Sequence, residues 1–422
     1  MRNGRVWTRL LGVERTTVER VEFDQDAAVI VVHAKPHESA RRRCGRCGRR
    51  CARYDGGDGR RRWRALDLGT VQAVIEADAP RVRCPEHGVV VAAVPWARHR
   101  AGHTRFFDDQ VAWLAVACSK TAVCALMRVA WRTVGVIVGR VCADIDGSVD
   151  RLAGLRRIGI DEVSYKRGHR YLTVVVDHDS RRLVWAAEGH GKKVLESFFD
   201  ALGADRSAQI THVSADAADW IADVAAARAP QAIRCADAFH IVAWATEALD
   251  QVRRDAWNEA RGAVTRRIAG RASGQARALK HARYALWKNP EDLTERQQAK
   301  LAWIAETDPR LYRAYLLKEG LRYAFAVKGQ AGVDALDRWI SWARRCRIPS
   351  FVRLQRRITA HRPEIEAALR EDLSNALIES TNTKIRLLTR IAFGFKSANA
   401  LIALAMLSLG GYRPPLPGRA AA

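Results

Sequence analysis

The chain of 422 residues has no long apolar run. Its longest, ALIALAMLSLGG near the C-terminus, covers about 12 residues, whereas a helix needs about 20 to cross a bilayer. That run reads as a buried core helix and not as a membrane span. The opening, MRNGRVWTRLLGVERTT, breaks every apolar stretch with charge, unlike a secretory signal. A soluble, cytoplasmic protein with no membrane partner is the expectation. Internal repeats and low-complexity linkers are absent. Acids are scarce beside bases: 46 Asp plus Glu against 71 Lys plus Arg, a net charge of +25. Such an excess points to a polyanionic partner, nucleic acid above all.

Nine cysteines occur without an export signal, which argues against a disulfide framework. Five of them, Cys118, Cys124, Cys142, Cys235 and Cys346, stand alone or in apolar segments and read as buried free thiols. The other four cluster between positions 44 and 84. Cys44-Gly-Arg-Cys47 is a CxxC knuckle, and Cys84-Pro-Glu-His87 follows as a CxxH. Two paired ligand sets at these spacings suit a tetrahedral structural Zn²⁺, with Cys51 as a spare that could replace His87. Residues 41–64 carry eleven arginines and two acids. Those arginines would lower the thiol pKa values and make the zinc ribbon a phosphate-contacting module.

The segment from Phe106 to about Ile145 turns helical. Lys120–Arg128 and Trp131–Val141 are separated by a turn at Val129-Ala130. The spacing suits a helix-turn-helix with Trp131, Arg132 and Thr133 opening the recognition helix, where base contacts usually occur. A three-helix bundle that only packs is the alternative.

From Arg157 to about Cys235 strands and helices alternate. RRIGIDEVSYKRG predicts a strand ending at Asp161-Glu162. HRYLTVVVDHDSRRLVWAAEG predicts a hairpin turning at HDSR, with Asp177 and Asp179 in the turn. KKVLESFFDALG is an amphipathic helix. QITHVSADAADWIADV predicts a strand ending at Ala215-Asp216 before a helix, and QAIRCADAFH is a third such unit. This is an α/β order with a mixed sheet. If the first and second of these strands are neighbours, Asp161 and Asp216 sit side by side, and two like charges there want a divalent cation. Each has a structural rival: Glu162 is an alternative donor for Asp161, and Asp216 could cap its helix, with Asp219 in reserve. From about Ile241 to Arg370 nearly everything is helical, and its tryptophans (Trp257, Trp287, Trp303, Trp339, Trp342, with Trp244 at the edge) are core by default.

A last helix, ALIESTNTKIRLLTR, places Glu379, Asn382, Thr383, Arg386 and Arg390 on one stripe and Ile378, Thr381, Ile385 and Leu388 on the opposite one. Lys384 lies off the polar stripe. Glu379 could add a third hard oxygen to Asp161 and Asp216, enough for two Mg²⁺ (or Mn²⁺) ions at a phosphodiester.

The pieces GIDEVSYKRGHRYLTVVVDHDSRRLVW, VSADAADWIADV, ADAFHIVAWATEALDQVRRDA and IESTNTKIRLLTRIAFGF, with CGRC and RCPEH ahead of them, resemble in order the DDE transposases of bacterial insertion sequences. More narrowly they resemble the ISL-three family. The likeness implies a multidomain α+β protein: a zinc ribbon in residues 1–100 and a helix-turn-helix in 101–150. An RNase H-like α/β core would begin in 151–244, be interrupted by a long all-α insertion in 245–370, and be completed by 371–422. It implies Asp161, Asp216 and Glu379 as catalytic triad and metal ligands, and Asp237-Ala-Phe-His240 as an accessory element. In that element His240 either serves the site or merely packs. It further implies double-stranded DNA partners (terminal inverted repeats and target), contacts from Arg132, Thr133, Lys384, Arg386 and Arg390, a homodimer, and a place at the bacterial nucleoid. The chain departs from the family in reading Glu379-Ser-Thr-Asn382 around the last acid and in having His87 where a cysteine is usual. A DNA-binding regulator that has lost catalysis, and a nuclease for branched DNA on the same core, are the competing functions.

Overall fold

The computed structural model describes residues 4–266, 269–371, 373 and 376–419. The chain divides into two compact units, Met1–Asp150 with Arg390–Ala422, and Arg151–Thr389.

In the first unit, Val6, Trp7, Leu10 and Leu11 recur at helical and not alternating spacing. The chain accordingly forms helix α1 (Gly4–Leu10). True alternation begins later and gives β1 (Thr16–Asp24) and β2 (Val29–Pro36), followed by the short helix α2 (Glu38–Arg41). Next come β3 (Ala52–Asp55), β4 (Arg60–Arg64), β5 (Gln72–Asp78), β6 (Arg81–Cys84) and β7 (Gly88–Val91). Two sheets result, ordered β1-β2-β5-β4 and β3-β6-β7. The larger closes on a core of Val32, Trp63, Ala73, Ile75 and Trp96. The smaller closes on a core of Cys44, Cys51, Val82, Cys84 and Ala92.

Helix α3 (Arg105–Ala117) is capped by the Thr104 hydroxyl, which accepts from the Phe107 N–H, and α4 (Lys120–Met127) by Ser119, which accepts from the Ala122 N–H. Arg128 adopts a left-handed conformation, φ 51°, and the chain bends by 99° into α5 (Trp131–Asp146). Two helices at such an angle across a three-residue turn have helix-turn-helix geometry.

The second unit begins with a meander, β8 (Arg157–Lys166), β9 (Arg170–Asp177) and β10 (Arg182–Glu188), then α6 (Lys192–Leu202) and α7 (Ala204–Ser207). Two strand–helix units follow: β11 (His212–Ala215) with α8 (Asp219–Arg228), and β12 (Ile233–Ala236) with α9 (Ala238–Arg266). The sheet order is β10-β9-β8-β11-β12, with β8, β11 and β12 mutually parallel and β9 and β10 antiparallel to their neighbours. Successive residues of β8 point to opposite faces. Ile158 and Ile160 join Leu195, Phe198 and Phe199 of α6 and Ile221 and Val224 of α8 in one core. Gly159 and Asp161 therefore face the other way. β8 does not stop at Asp161 as expected. It runs on to Lys166, because Glu162–Lys166 stay paired with β9 after β11 has ended.

The helices α10 (Ala269–Lys280), α11 (Arg283–Trp287), α12 (Glu295–Thr307), α13 (Pro309–Val327), α14 (Gly329–Arg345), α15 (Pro349–Ala360) and α16 (Arg362–Glu371) build a second core with α9. Trp339 is buried there and donates to the Leu317 carbonyl at 2.6 Å, Trp244, Trp257, Trp287 and Trp303 pack around it, and Trp342 is exposed. The expected division at 244/245 falls inside α9, because one helix runs unbroken out of the sheet. The division at 370/371 falls inside α16. Helix α17 (Ala376–Ile391) returns to the sheet. The segment 371–422 does not stay together: α18 (Ala398–Leu409), the apolar run noted in the sequence, is buried against α3 and α5 of the first unit. Among the described residues no single helix is long and apolar enough to cross a membrane.

Candidate active site and metal centre

The knuckle comes together as its spacing required. The ligand atoms of Cys44, Cys47, Cys84 and His87 all lie within 4.8 Å of one another. Cys44 Sγ is 3.8 Å and Cys84 Sγ 3.6 Å from His87 Nδ1, and the Cys47 and Cys84 sulfurs are 3.7 Å apart. Tetrahedral zinc with bonds of about 2.3 Å to sulfur sets its ligands roughly 3.8 Å apart, so the donor set and spacing fit a structural Zn²⁺. Cys51 lies outside the four, its thiol donating to the Arg49 carbonyl at 3.3 Å. Burial alone would push the Cys84 thiol up. Hydrogen bonds from the His87 ring and from the His87 and Glu86 backbone draw it down to about 6, toward the thiolate a metal requires.

At the head of α5, Trp131 and Arg132 are exposed and Thr133 is half-buried. The Lys120 ammonium sits 4.7 Å from the Trp131 ring centroid.

In the second unit the register brings the acids level. Ile160 pairs with Ala215, and Ala215 with Ala236. The next residue on each of the three parallel strands is an aspartate: Asp161, Asp216 and Asp237. Asp216 does not cap α8, whose N-cap is Ala218. Its Oδ1 accepts instead from the Ala217 N–H at 2.9 Å. Glu162 faces away from Asp161 and accepts from the Gly191 N–H at 3.2 Å. Asp237 is buried and opens α9, with Oδ1 accepting from the Phe239 N–H at 2.9 Å and Oδ2 2.6 Å from His240 Nδ1. The other ring nitrogen of His240 lies 3.3 Å from Asp216 Oδ2. Held by Asp237 first and by the charges of Asp216 and Asp161, and despite its burial, this imidazole is pushed up to about 9 and is a cation at neutral pH. His240 thus sits between Asp237 and Asp216. Asp237 stands level with the expected ligands, although the sequence marked it only as part of an accessory element.

Helix α17 brings Glu379 and Asn382. Asn382 is buried, and its Nδ2 donates to Asp161 Oδ2 at 2.6 Å, while its Oδ1 has no partner among the described residues. Of the five residues expected on one polar stripe, Asn382 turns inward with Ile378, Thr381 and Ile385. Thr383, Lys384, Arg386 and Arg390 remain exposed. Glu379 is raised by burial and by the charge of Asp237, with His240 pulling the other way. Asp161 is pushed to about 6 by burial, against the Glu162 N–H and His240, with Asp237 and Asp216 adding repulsion. Among the described residues only the Cys44 group closes to 4.8 Å. His240 stands between Asp216 and Asp237.

A cysteine–histidine knuckle, a helix-turn-helix and a mixed α/β core with a polar cluster on its parallel strands define the class of DNA-handling transposases. Three family models match the chain: a transposase model over residues 158–405, the helix-turn-helix domain of transposase family ISL3 over 92–141, and the zinc-finger of transposase IS204/IS1001/IS1096/IS1165 over 40–87. The chain belongs to the ISL3 family of insertion-sequence transposases. Two Mycobacterium tuberculosis proteins (strains CDC 1551 / Oshkosh and ATCC 25618 / H37Rv), each a transposase for insertion sequence element IS1557, are 66% identical over 99% of this chain and 98% of theirs. The transposase for element IS1001 of Bordetella parapertussis is 26% identical over 90% of this chain and 91% of its own.

Proposed function

We propose that the chain is a Mg²⁺-dependent DDE transposase that cuts DNA at the ends of its element and joins them to a target. The observation that carries this is the levelling of Asp161, Asp216 and Asp237 on three parallel strands, with Glu379 and Asn382 arriving from α17. The strand order supports an RNase H-like reading of the sheet, with α9–α16 as an all-helical insertion. The donors are hard oxygens, which suit Mg²⁺ or Mn²⁺. The unpartnered Asn382 Oδ1, and Asp161 raised by burial and by the nearby charges of Asp237 and Asp216, suit a cluster built for a cation. Asp161, Asp216 and Glu379 would hold the ions, which supply Lewis-acid activation of the attacking and leaving oxygens.

The side chains divide the remaining work. Asn382 fixes the Asp161 carboxylate. Asp237 orients His240, whose cationic ring lies where the scissile phosphate's negative charge would come. Water attacks phosphorus, the 3′ oxygen leaves with a proton, and the freed 3′-hydroxyl then attacks a target phosphodiester, breaking its P–O3′ bond so that the target's own 3′ oxygen leaves with the proton. No protein–DNA bond is required. The zinc ribbon and helix-turn-helix, through Arg132 and Thr133, would read the terminal repeats, and Lys384, Arg386 and Arg390 would follow the backbone. Two ends must meet, which favours a homodimer.

Glu379→Gln is the test: it removes one charge at nearly constant shape, and it should abolish Mg²⁺-dependent cutting while leaving end binding intact. Full cutting by that variant would overturn the assignment. A catalytically silent DNA-binding regulator is the second reading, favoured by the His240 cation that already balances the acids. It predicts salt-dependent binding by the unaltered chain with no cutting in Mg²⁺ or Mn²⁺.

A further inference from the structure

Beyond the carboxylates, α9 carries a stripe that the chemistry above does not use. His240, Trp244, Gln251 and Arg254 recur at intervals that place them on one face of the helix. Beyond His240, Trp244, Gln251 and Arg254 form one wall of a cleft of about 350 Å³, and α15 forms the other with Ser350, Arg353 and Arg357. The floor is aromatic and cationic, the Arg357 guanidinium carbon lying 3.5 Å from the Trp244 ring centroid. Ser350 is the second residue of α15, and its hydroxyl is shut off from bulk water with no partner among the described residues. The helix start itself adds little, since Pro349 has no N–H and the Phe351 and Val352 N–H groups both donate to the Ile348 carbonyl at 3.0 Å. Facing these donors on α9 are the acids Glu247 and Asp250. Asp250 is engaged by Arg253 at 2.8 Å and Arg254 at 3.4 Å.

We propose that this cleft binds the phosphates of a DNA strand running to or from the carboxylate cluster. Its chemistry fits a polyanion: three guanidiniums, one of them stacked on Trp244, and an unpartnered hydroxyl. A compact apolar ligand would leave those donors unsatisfied. Its position fits as well. Trp244 lies one turn from His240, and the stripe from His240 to Arg254 spans about 21 Å at 1.5 Å per residue, the rise of about six nucleotides in duplex form. The inference rests on the reading of the cluster as a DNA-cutting site, and it assigns to α9 and α15 the neighbouring stretch of the strand.

The test compares the full chain with Arg353→Gln and with Arg353→Gln/Arg357→Gln. Arg353 is exposed, and its removal disturbs no packing, whereas Arg357 lies on Trp244. Affinity for a fluorescein-labelled single-stranded oligonucleotide of mixed sequence is measured in EDTA over a range of NaCl, with thermal unfolding as the control for folding. The slope of log affinity against log salt should fall by about 0.7 for the single variant and about 1.4 for the double, one single-strand phosphate contact per arginine. Slopes equal to the unaltered chain in both variants overturn the cleft. Cutting of element ends by the unaltered chain in Mg²⁺ is scored separately. Cutting with unchanged slopes rejects the cleft and keeps the enzyme, and reduced slopes without cutting keep the cleft and reject the enzyme.

Discussion

Asn382 donates from Nδ2 to Oδ2 of Asp161 at 2.6 Å, across 221 positions of chain. One turn earlier on the same helix, Ile378 rests on Gly159, two positions before Asp161 on the same face of β8. Two residues of a strand advance about 6.6 Å and four of a helix about 6 Å. The strand and the helix are thus matched along their contact, and Glu379 arrives beside the acids because Ile378 is seated.

Loss of the Asn382 amide should loosen Asp161 without touching DNA recognition. Asn382→Ala is expected to cut 10- to 100-fold more slowly, roughly the cost of removing a group that orients a metal ligand. Asn382→Asp, which sets carboxylate against carboxylate, should fall further. Cleavage rates and filter binding on the same preparations check this, and an Ala variant cutting at the full rate would show that Asp161 needs no such support.

A methyl group on Gly159 would lie 2.4 Å from Ile378 Cδ1 and 2.8 Å from His178 Nε2. Gly159→Ala should therefore destabilise the second unit by about 1–3 kcal/mol through overpacking and reduce cutting by lifting α17. Adding Ile378→Ala removes one of the two clashes and should recover part of the cutting loss. If the single variant melts and cuts like the unaltered chain, α17 has slack at this contact.

The knuckle should carry one Zn²⁺ per chain, measured as metal content after desalting. His87→Cys should keep the metal, because thiolate and imidazole both suit a tetrahedral site. Cys51→Ser should also keep it. Cys44→Ser and Cys84→Ser should lose it and lower the melting temperature of the first unit. Retention by Cys44→Ser with loss by Cys51→Ser would redraw the ligand set.

Asp108 is fully buried between Arg140, whose Nη1 donates to it at 2.9 Å, and His103. Burial outweighs the arginines and pushes it up to about 6. The folded chain therefore holds this proton more tightly than the unfolded chain, whose aspartates titrate near 3.9. The group's stabilising contribution is complete below about pH 4 and is lost as pH rises through about 6, on the order of 3 kcal/mol in all. Urea midpoints of the unaltered chain and Asp108→Asn, subtracted at each pH, should show that fall between pH 4 and 6 and a plateau above it. A flat difference would mean that Arg140 and Arg98 keep Asp108 ionised throughout.

Local signals were legible where one short stretch decides the structure. The CxxC and CxxH spacings announced the knuckle, and the turn after Met127 announced the bend into α5. Asp216 was placed at a strand end because the apolar run does stop at Ala215. Asp161 was placed at the end of its strand for the same local reason, yet β9 keeps β8 extended, and pairing between strands is not written in either strand alone. Asn382 falls on the polar stripe with Glu379 because helical periodicity separates apolar from polar. It cannot tell an outer polar face from an inner one that lines a site. The need for glycine at position 159 had no signal at all, since the side chain that excludes a Cβ arrives more than 200 residues later. The tryptophans read correctly as packing residues, apart from the exposed Trp342.

Helix α9 begins on the Asp237 carboxylate, carries His240 in its first turn and continues through 29 residues, a rod about 44 Å long. Such a rod moves as one piece, because sliding one turn past the next would break its ladder of hydrogen bonds. Its far end is thus a handle on His240. A displacement of the rod among α10–α13 would therefore be felt at the imidazole.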